Sequence, residues 1–326
     1  MPAAVLLLRA VVPAWAFMWL LALAIFFACK WLTWRRACRR GLHPPIPRSL
    51  AYLLAWPGMD AIAFLKAPNP KHHAPKKSQT PNPERQSVNG LPVPMEPPRA
   101  RQRSAFRRLR RLGAWNLGFL WRLEVGAWSF AVAKTLCGAA LIWIAAHRTS
   151  GANPLLTGWL GMIGVVFLLH FGLFHLLALA WQRAGVHAQP LMRSPFLATS
   201  LAEFWSARWN TAFHLLAQDV AFRPLARRRG PTGATIGVFL ISGLVHEAVI
   251  SLPARGGFGL PTAYFVLQGL GVLAERARWG RRLGLGRGLR GWLFALICAA
   301  GPAFWLFHPP FIHHVILPML QAIGAT

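Results

Sequence analysis

Two adjacent ionisable residues inside an apolar run have the side chains that proton transfer needs. His246 and Glu247 lie in such a run, where ionisable groups are costly and indicate function. A low-dielectric site favours the neutral form of histidine, which is the form that acts as a general base. Ser242 and Gly243 come one helical turn earlier and are small, which leaves room for a substrate or a partner helix. We predict a general base at His246; the alternative is a structural histidine bound to a neighbouring helix.

Glu247 needs a separate role. Consecutive residues of a helix point about 100° apart, so Glu247 is not expected to orient His246. We expect it to pair with a basic residue or to line the same cavity from another side.

The segment 203–214 is the second place where polar side chains gather. Read as one helix, it has a polar face and an opposite aromatic face; the polar residues are Glu203, Asn210 and His214, and the aromatic ones are Trp205, Trp209 and Phe213. An amide can stabilise an oxyanion while remaining uncharged, which makes Asn210 a candidate for that role. The alternative is an interfacial helix whose polar residues face water. His214 and Asp219 would point about 140° apart on a continuous helix, so we predict no catalytic dyad there.

Composition favours a multi-pass membrane protein. Of 326 residues, 55% are hydrophobic, 13% are charged and 16 are tryptophan, and the mean hydropathy is +0.40. The net charge is +28, from 36 basic and 8 acidic side chains. The bases lie between apolar runs, as expected for membrane topology and attraction to anionic lipid, so we predict no nucleic-acid partner. The 4 cysteines have no paired spacing, and we predict neither a disulfide framework nor a metal site.

The apolar runs predict an all-α fold with about six to eight transmembrane helices plus re-entrant or interfacial helices. Six spans follow from the sequence, with the N-terminus outside by the positive-inside rule: 11–29, 126–146, 155–181, 232–252, 258–274 and 291–307.

Four other segments are not expected to cross. Pro57 and Gly58 interrupt residues 49–65, which predicts an interfacial or re-entrant piece. The Pro-rich basic stretch 66–104 predicts a disordered cytoplasmic loop, and 106–121 a basic amphipathic helix on the membrane surface. The tail 311–322 is predicted to be a half-span or an interfacial helix. The predicted domains are 1–66, 67–104 and a membrane-embedded core at 105–326.

The motifs around these residues resemble a known family. Phe204-Trp205-Ser206-Ala207-Arg208-Trp209-Asn210, followed by His246-Glu247 in an apolar helix, is similar to the membrane-bound O-acyltransferases, and most to their wax synthase-like branch. Residues 194–196, 56–60 and 307–310 also fit. The resemblance covers roughly residues 45–65 and 190–310; the loop after Lys66 and the short tail depart from the pattern.

The resemblance implies transfer of a fatty acyl group from acyl-CoA to a long-chain alcohol, giving a wax ester. The histidine of the family falls on His246 and its asparagine on Asn210. No cofactor is implied besides acyl-CoA as co-substrate, and the partners are a lipophilic alcohol and membrane lipids. We predict that further residues contact the substrates: Glu203, Trp205, Arg208, Trp209, Ser242 and Glu247. Arginines predicted on the inner side either attract the CoA phosphates or only fix topology, namely Arg208, Arg223, Arg227, Arg228 and Arg229.

The sequence also allows other functions. The same fold could acylate a sterol, a diacylglycerol or a saccharide, or the chain could be a non-catalytic transporter or lipid-binding protein. The Ala-, Arg- and Trp-rich composition suggests a GC-rich bacterial genome, hence the inner membrane.

Overall fold

The structure, a computed structural model, describes residues 6–66 and 124–326. This part of the chain is helical and contains no strand, so the predicted all-α class is confirmed. Residues 6–66 and 131–326 belong to one compact unit, and residues 124–130 to a second. Five helices are long and apolar enough to cross a membrane, as in an integral membrane protein: Ala14–Arg39, Gly126–Thr149, Pro154–Arg183, Thr211–Ala254 and Gly288–Leu306.

We number the helices in chain order. The first five are α1 (Ala14–Arg39), α2 (Ile46–Ala55), α3 (Ala61–Leu65), α4 (Gly126–Thr149) and α5 (Pro154–Arg183). Helix α6 joins Leu201–Glu203 to Phe204–Arg208. The run Thr211–Ala254 is divided into α7 (211–229) and α8 (231–254). The last four are α9 (Leu260–Arg276), α10 (Arg278–Leu283), α11 (Gly288–Leu306) and α12 (309–322).

Gly230 divides the 44-residue run Thr211–Ala254. Its backbone angles, φ 70° and ψ 172°, are not helical, and Pro231 follows it. Glycine tolerates a positive φ, and proline suits the first turn of a helix because its missing N–H would have no partner there. The apolar helix α8 therefore starts afresh beside Thr232, where the predicted span 232–252 begins.

The other long spans are confirmed with shifted ends. Helices α4, α5 and α11 contain most or all of 126–146, 155–181 and 291–307. Helix α1 continues ten residues beyond the predicted end at 29, because Lys30 is buried within the protein. The Lys30 Nζ donates to the Gly58 carbonyl at 2.8 Å and lies 3.1 Å from the centre of the Tyr52 ring.

The predicted span 258–274 forms α9, which has 17 residues. At 1.5 Å per residue it is about 26 Å long, shorter than a hydrocarbon core of about 30 Å. It is therefore not among the five long apolar helices, and its crossing stays a prediction.

The break at 57–58 is confirmed, since α2 ends at Ala55 and α3 begins at Ala61. The tail helix α12 packs into the core, with Ile312, Val315 and Leu320 fully buried. The predicted loop (67–104) and surface helix (106–121) lie outside the described residues.

Candidate active site

Helices α8 and α9 pack closely, and Gly243 is where they approach. A Cβ atom added at Gly243 would lie 2.8 Å from Cα of Thr262. That distance is shorter than carbon atoms tolerate, so a residue with no side chain is needed here. Gly243 was predicted to leave room for a substrate or a partner helix, and the partner helix is α9.

His246 lies one turn after this contact, half-buried on α8. Its Nδ1 is 2.7 Å from the Ser242 carbonyl oxygen. A carbonyl oxygen can only accept, so Nδ1 carries the proton in this contact and Nε2 keeps its lone pair. The ring packs on Phe265 of α9, with centroids 4.3 Å apart and planes at 37°. His246 is thus held in the tautomer that presents a basic nitrogen at Nε2.

Ser242 contributes to the site through its backbone. Its carbonyl fixes the His246 ring, while the predicted substrate contact of its side chain stays a prediction. A π-helical turn, Glu247–Ser251, starts directly after His246. Such turns are rare and often occur at functional sites.

Glu247 binds the start of α9. Its Oε1 accepts from the Gly259 backbone N–H at 2.7 Å, and its Oε2 accepts from the Thr262 hydroxyl at 2.9 Å and the Thr262 N–H at 3.3 Å. The first N–H groups of a helix have no intrahelical partner and carry partial positive charge, which suits a carboxylate. The expected pairing with a basic residue is replaced by this helix cap.

Trp205 joins α6 to the same scaffold. Its indole N–H donates to the Gln268 side-chain oxygen at 3.3 Å, and its ring lies 5.6 Å from Phe265. Gln268 is fully buried and donates to the Cys298 carbonyl of α11 at 2.7 Å. Phe265 therefore contacts both His246 and Trp205, and links the two predicted motifs.

Glu275, at the other end of α9, caps α6. Its carboxylate accepts from the backbone N–H groups of Leu201 and Ala202 at 2.7 and 2.8 Å. Glu275 and Gln268 are not among the site residues predicted from the sequence. Their signal was the one used for His246, a polar side chain in or beside an apolar helix.

Asn210 lies where the predicted continuous helix 203–214 breaks, so that prediction was wrong. Helix α6 ends at Arg208, Trp209 is extended, and Asn210 has φ 43° and ψ 59°. A non-glycine residue in this left-handed region is strained by about 1–3 kcal/mol, and such residues cluster at functional sites. Within the described residues the Asn210 side-chain amide makes no hydrogen bond. Asparagine is among the residues that tolerate this conformation best, but the sequence motif alone does not predict a left-handed backbone at Asn210.

Glu203 and Arg208 form an ion pair within α6. The Arg208 Nε and one terminal nitrogen donate to Glu203 at 2.8 and 2.7 Å, and the other donates to the Ser194 carbonyl at 3.2 Å. Glu203 also accepts from the Thr199 N–H at 2.8 Å. Burial raises the pKa of Glu203, but the hydrogen bonds from Thr199 and Arg208 outweigh it and hold that pKa below its ordinary value. Glu203 and Arg208 were both predicted to contact substrate, and both side chains bind other groups of the protein.

Trp209 stacks on Phe204, with centroids 5.6 Å apart and planes at 14°. Phe204 in turn meets Trp205 edge-on at 5.0 Å. A continuous series of rings therefore connects the neighbour of Asn210 to His246. Asp219 does not pair with His214, since it binds Arg223 at 2.6 Å.

His308 closes a buried network at the end of α8. The Phe311 N–H donates to Nδ1 of His308 at 3.2 Å, which leaves the proton on Nε2. That nitrogen donates to the Ser251 hydroxyl at 3.2 Å, and Ser251 donates to the Gly257 carbonyl at 3.4 Å. Since His308 is fully buried, the network fixes the turn between α8 and α9.

Two cavities flank these helices in the described part of the chain. One of about 350 Å³ lies where α8 begins and α9 ends, lined by Pro231, Thr232, Leu273, Arg276 and Ala277. The other, of about 320 Å³, lies at the opposite ends of α8 and α1. Neither is lined by His246 or Asn210.

The segment that contains both predicted catalytic residues is similar to a known protein family. Residues 188–267 match the model of the membrane bound O-acyl transferase family. The resemblance stated from the Trp-Asn and His-Glu motifs is confirmed. This segment runs from the turn before α6 into α9, and so includes Asn210, His246 and Phe265.

The relatives come from plants. A probable long-chain-alcohol O-fatty-acyltransferase 2 of Arabidopsis thaliana is 31% identical over 146 residues, 40% of this chain and 41% of the relative. A long-chain-alcohol O-fatty-acyltransferase of Simmondsia chinensis is 28% identical over 174 residues, 47% and 48% of the two chains. An acyl-CoA–sterol O-acyltransferase 1 of Arabidopsis thaliana is 28% identical over 100 residues, 28% and 29%.

The chain thus covers less than two thirds of the length of these relatives. No solved structure matches it.

Proposed function

We propose that this chain is an acyl-CoA-dependent O-acyltransferase that esterifies a long-chain alcohol with a fatty acyl group. The observation that carries the proposal is the tautomer of His246. Its Nδ1 proton is committed to the Ser242 carbonyl, so Nε2 is free to accept a proton. The similarity to long-chain-alcohol acyltransferases over the segment that contains His246 supports the substrate class.

The mechanism follows from that nitrogen. Nε2 of His246 removes the proton from the acceptor hydroxyl as its oxygen attacks the thioester carbonyl carbon. The Asn210 amide, which has no partner in the described residues, donates to the carbonyl oxygen as negative charge develops there. The C–S bond then breaks, the ester leaves, and the CoA thiolate takes the proton from His246. No covalent acyl-enzyme forms.

The CoA phosphates have fewer candidate partners than the sequence offered. Arg208 and Arg223 are bound by Glu203 and Asp219. The three arginines 227–229 are exposed and directly precede the Gly230 kink. Beyond the kink lies the cavity of about 350 Å³, and its lining includes Arg276. We assign the phosphates to this arginine-rich end of α8 and α9.

The acceptor has one supported alternative. The similarity to a sterol O-acyltransferase covers 100 residues, fewer than the similarity to the alcohol acyltransferases. A long-chain alcohol is therefore our first assignment and a sterol the second. The bacterial inner membrane stays a prediction from composition alone, and the plant relatives lend it no support.

The test is a turnover assay on detergent-purified protein with labelled palmitoyl-CoA and either hexadecanol or a sterol. We expect a wax ester from hexadecanol, and a loss of about 10²–10⁴-fold in His246→Ala. His313→Ala is the matched control, because His313 is an exposed histidine of α12. Tryptophan fluorescence on heating would show that both variants fold. Unchanged turnover in folded His246→Ala would refute the assignment of the base.

A further inference from the structure

The cavity at the start of α1 and the end of α8 has no part in the proposed reaction. It has a volume of about 320 Å³, and its lining includes Arg9, Phe17, Ala254, Arg255 and His314. Ala254 and Arg255 come eight and nine residues after His246. The cavity therefore lies on the order of 10 Å farther along the same helix than the proposed base.

The charge of this cavity is positive and uncompensated. Arg9 and Arg255 both line it, and the lining residues include no carboxylate. Neither guanidinium makes an ion pair within the described part of the chain. His314 adds a third nitrogen-bearing side chain, held in place because its Nδ1 donates to the Ala254 carbonyl at 2.8 Å. Two unpaired guanidinium groups at one cavity favour an oxyanion ligand.

The inner wall of the same cavity is apolar. Phe17 is 1% exposed and Ala254 is fully buried, and both line it together with Val12 and Pro253. An inorganic anion would leave this wall without a contact. A molecule that joins an anionic group to a hydrocarbon chain would satisfy both parts.

The cavity also lies where such molecules are found. Helix α1 begins at Ala14 and the run that contains α8 ends at Ala254, so one end of each of two membrane-crossing helices meets here. The predicted topology places this end on the outer side, where arginines are disfavoured by the positive-inside rule. Their convergence there indicates a ligand rather than a topology signal.

We propose that this cavity binds an anionic amphiphile of the membrane, with its phosphate or carboxylate between Arg9 and Arg255 and its hydrocarbon chain against Phe17. Phospholipids and free fatty acids share this chemistry. Bound there, the amphiphile would join the start of α1 to the end of the helix that carries His246.

The test is thermal unfolding of the full chain in a nonionic detergent, titrated with dioleoylphosphatidylglycerol, oleate or uncharged diolein. We expect one or both anionic amphiphiles to raise the melting temperature and diolein not to do so. Arg9→Gln with Arg255→Gln should need a far higher concentration for half the effect, about tenfold for each arginine removed. Arg148→Gln is the matched control, because Arg148 is an exposed arginine near another predicted outer loop.

Each outcome decides the proposal. A response to phosphatidylglycerol alone identifies a phosphate ligand, and one to oleate alone a carboxylate. No response of the unaltered protein to either anion, an equal response to diolein, or an unchanged response in the double variant would overturn it. If the double variant does not fold, Arg255→Gln alone replaces it, since Arg255 is exposed. The measurement does not depend on turnover, so its result is separate from that of the proposed reaction.

Discussion

Glu247 and Thr262 are joined across the turn between two helices, with the carboxylate 2.9 Å from the threonine hydroxyl and 3.3 Å from its backbone N–H. The residue next to the proposed base is thus committed to holding α9 in place. This arrangement separates two roles that the His-Glu motif combines, since His246 supplies the basic nitrogen and Glu247 supplies the position of the helix on which its ring packs.

Replacing Glu247 should therefore reduce stability more than it changes the chemistry. Glu247→Ala removes a charged cap, and we expect a loss of about 1–2 kcal/mol and a lower melting temperature. Glu247→Gln keeps one acceptor oxygen and should lose less. The check is thermal unfolding beside palmitoyl-CoA turnover, with His246→Ala as the opposite case. Full stability with abolished turnover in Glu247→Ala would instead place Glu247 in the reaction.

The close approach at Gly243 predicts a sharp difference between two glycines of α8. Gly243→Ala would place a methyl group 2.8 Å from backbone Cα of Thr262, whereas Gly237→Ala would meet only Cδ1 of the Leu225 side chain, also at 2.8 Å. A side-chain end can rotate away and a backbone cannot. We expect Gly243→Ala to lower the melting temperature and turnover together, and Gly237→Ala to be tolerated. Equal effects of the two would contradict the packing of α8 on α9.

The left-handed backbone of Asn210 allows its side chain to be tested apart from its conformation. Asn210→Gly removes the amide but suits φ 43°, so stability should be kept while turnover falls about 10²–10³-fold. Ser194→Gly is the control, because Ser194 is also left-handed, at φ 48°, and has no proposed role in the reaction. Retained turnover in Asn210→Gly would mean that the residue serves the turn alone.

The exposed arginines before the kink should act on donor binding. Replacing residues 227–229 by glutamine should raise the KM for palmitoyl-CoA and leave kcat unchanged, because the phosphates lie far from the reacting carbonyl. High salt should raise the KM of the unaltered protein in the same direction. Arg281→Gln with Arg282→Gln is the control, because these are two exposed arginines of a different helix, α10. If both sets of substitutions change the KM equally, residues 227–229 have no specific role in donor binding and only fix the topology.

The sequence was sufficient for features that depend on local composition. Apolar runs predicted a span in each of the five long apolar helices, and the Pro-Gly pair at 57–58 predicted the interruption between α2 and α3. His246 and Asn210 were selected by residue type, and the segment that contains them is the one that matches the acyltransferase family.

What the sequence did not reveal depends on contacts between distant residues. Lys30 appeared to end the first span, but its side-chain nitrogen contacts the Gly58 carbonyl and the Tyr52 ring inside the protein. The helical periodicity of 203–214 concealed the break at Asn210, where the backbone N–H lies 3.3 Å from the Met192 sulfur. Glu275 and Gln268 have the local signal of a polar side chain in or beside an apolar helix, but their partners lie 30 to 74 positions away, and no local pattern indicates those partners.

The cap that Glu275 places on α6 has a consequence for how the protein is made. Leu201 and Ala202 precede their partner by 74 and 73 positions. Because a ribosome builds the chain from its N-terminus, the Trp-Asn motif is synthesised before the carboxylate that caps its helix. During that interval Leu201 and Ala202 lack Glu275 as a partner, and Trp205 lacks Gln268. The contacts that join α6 to α9 can therefore form only after α9 has been synthesised.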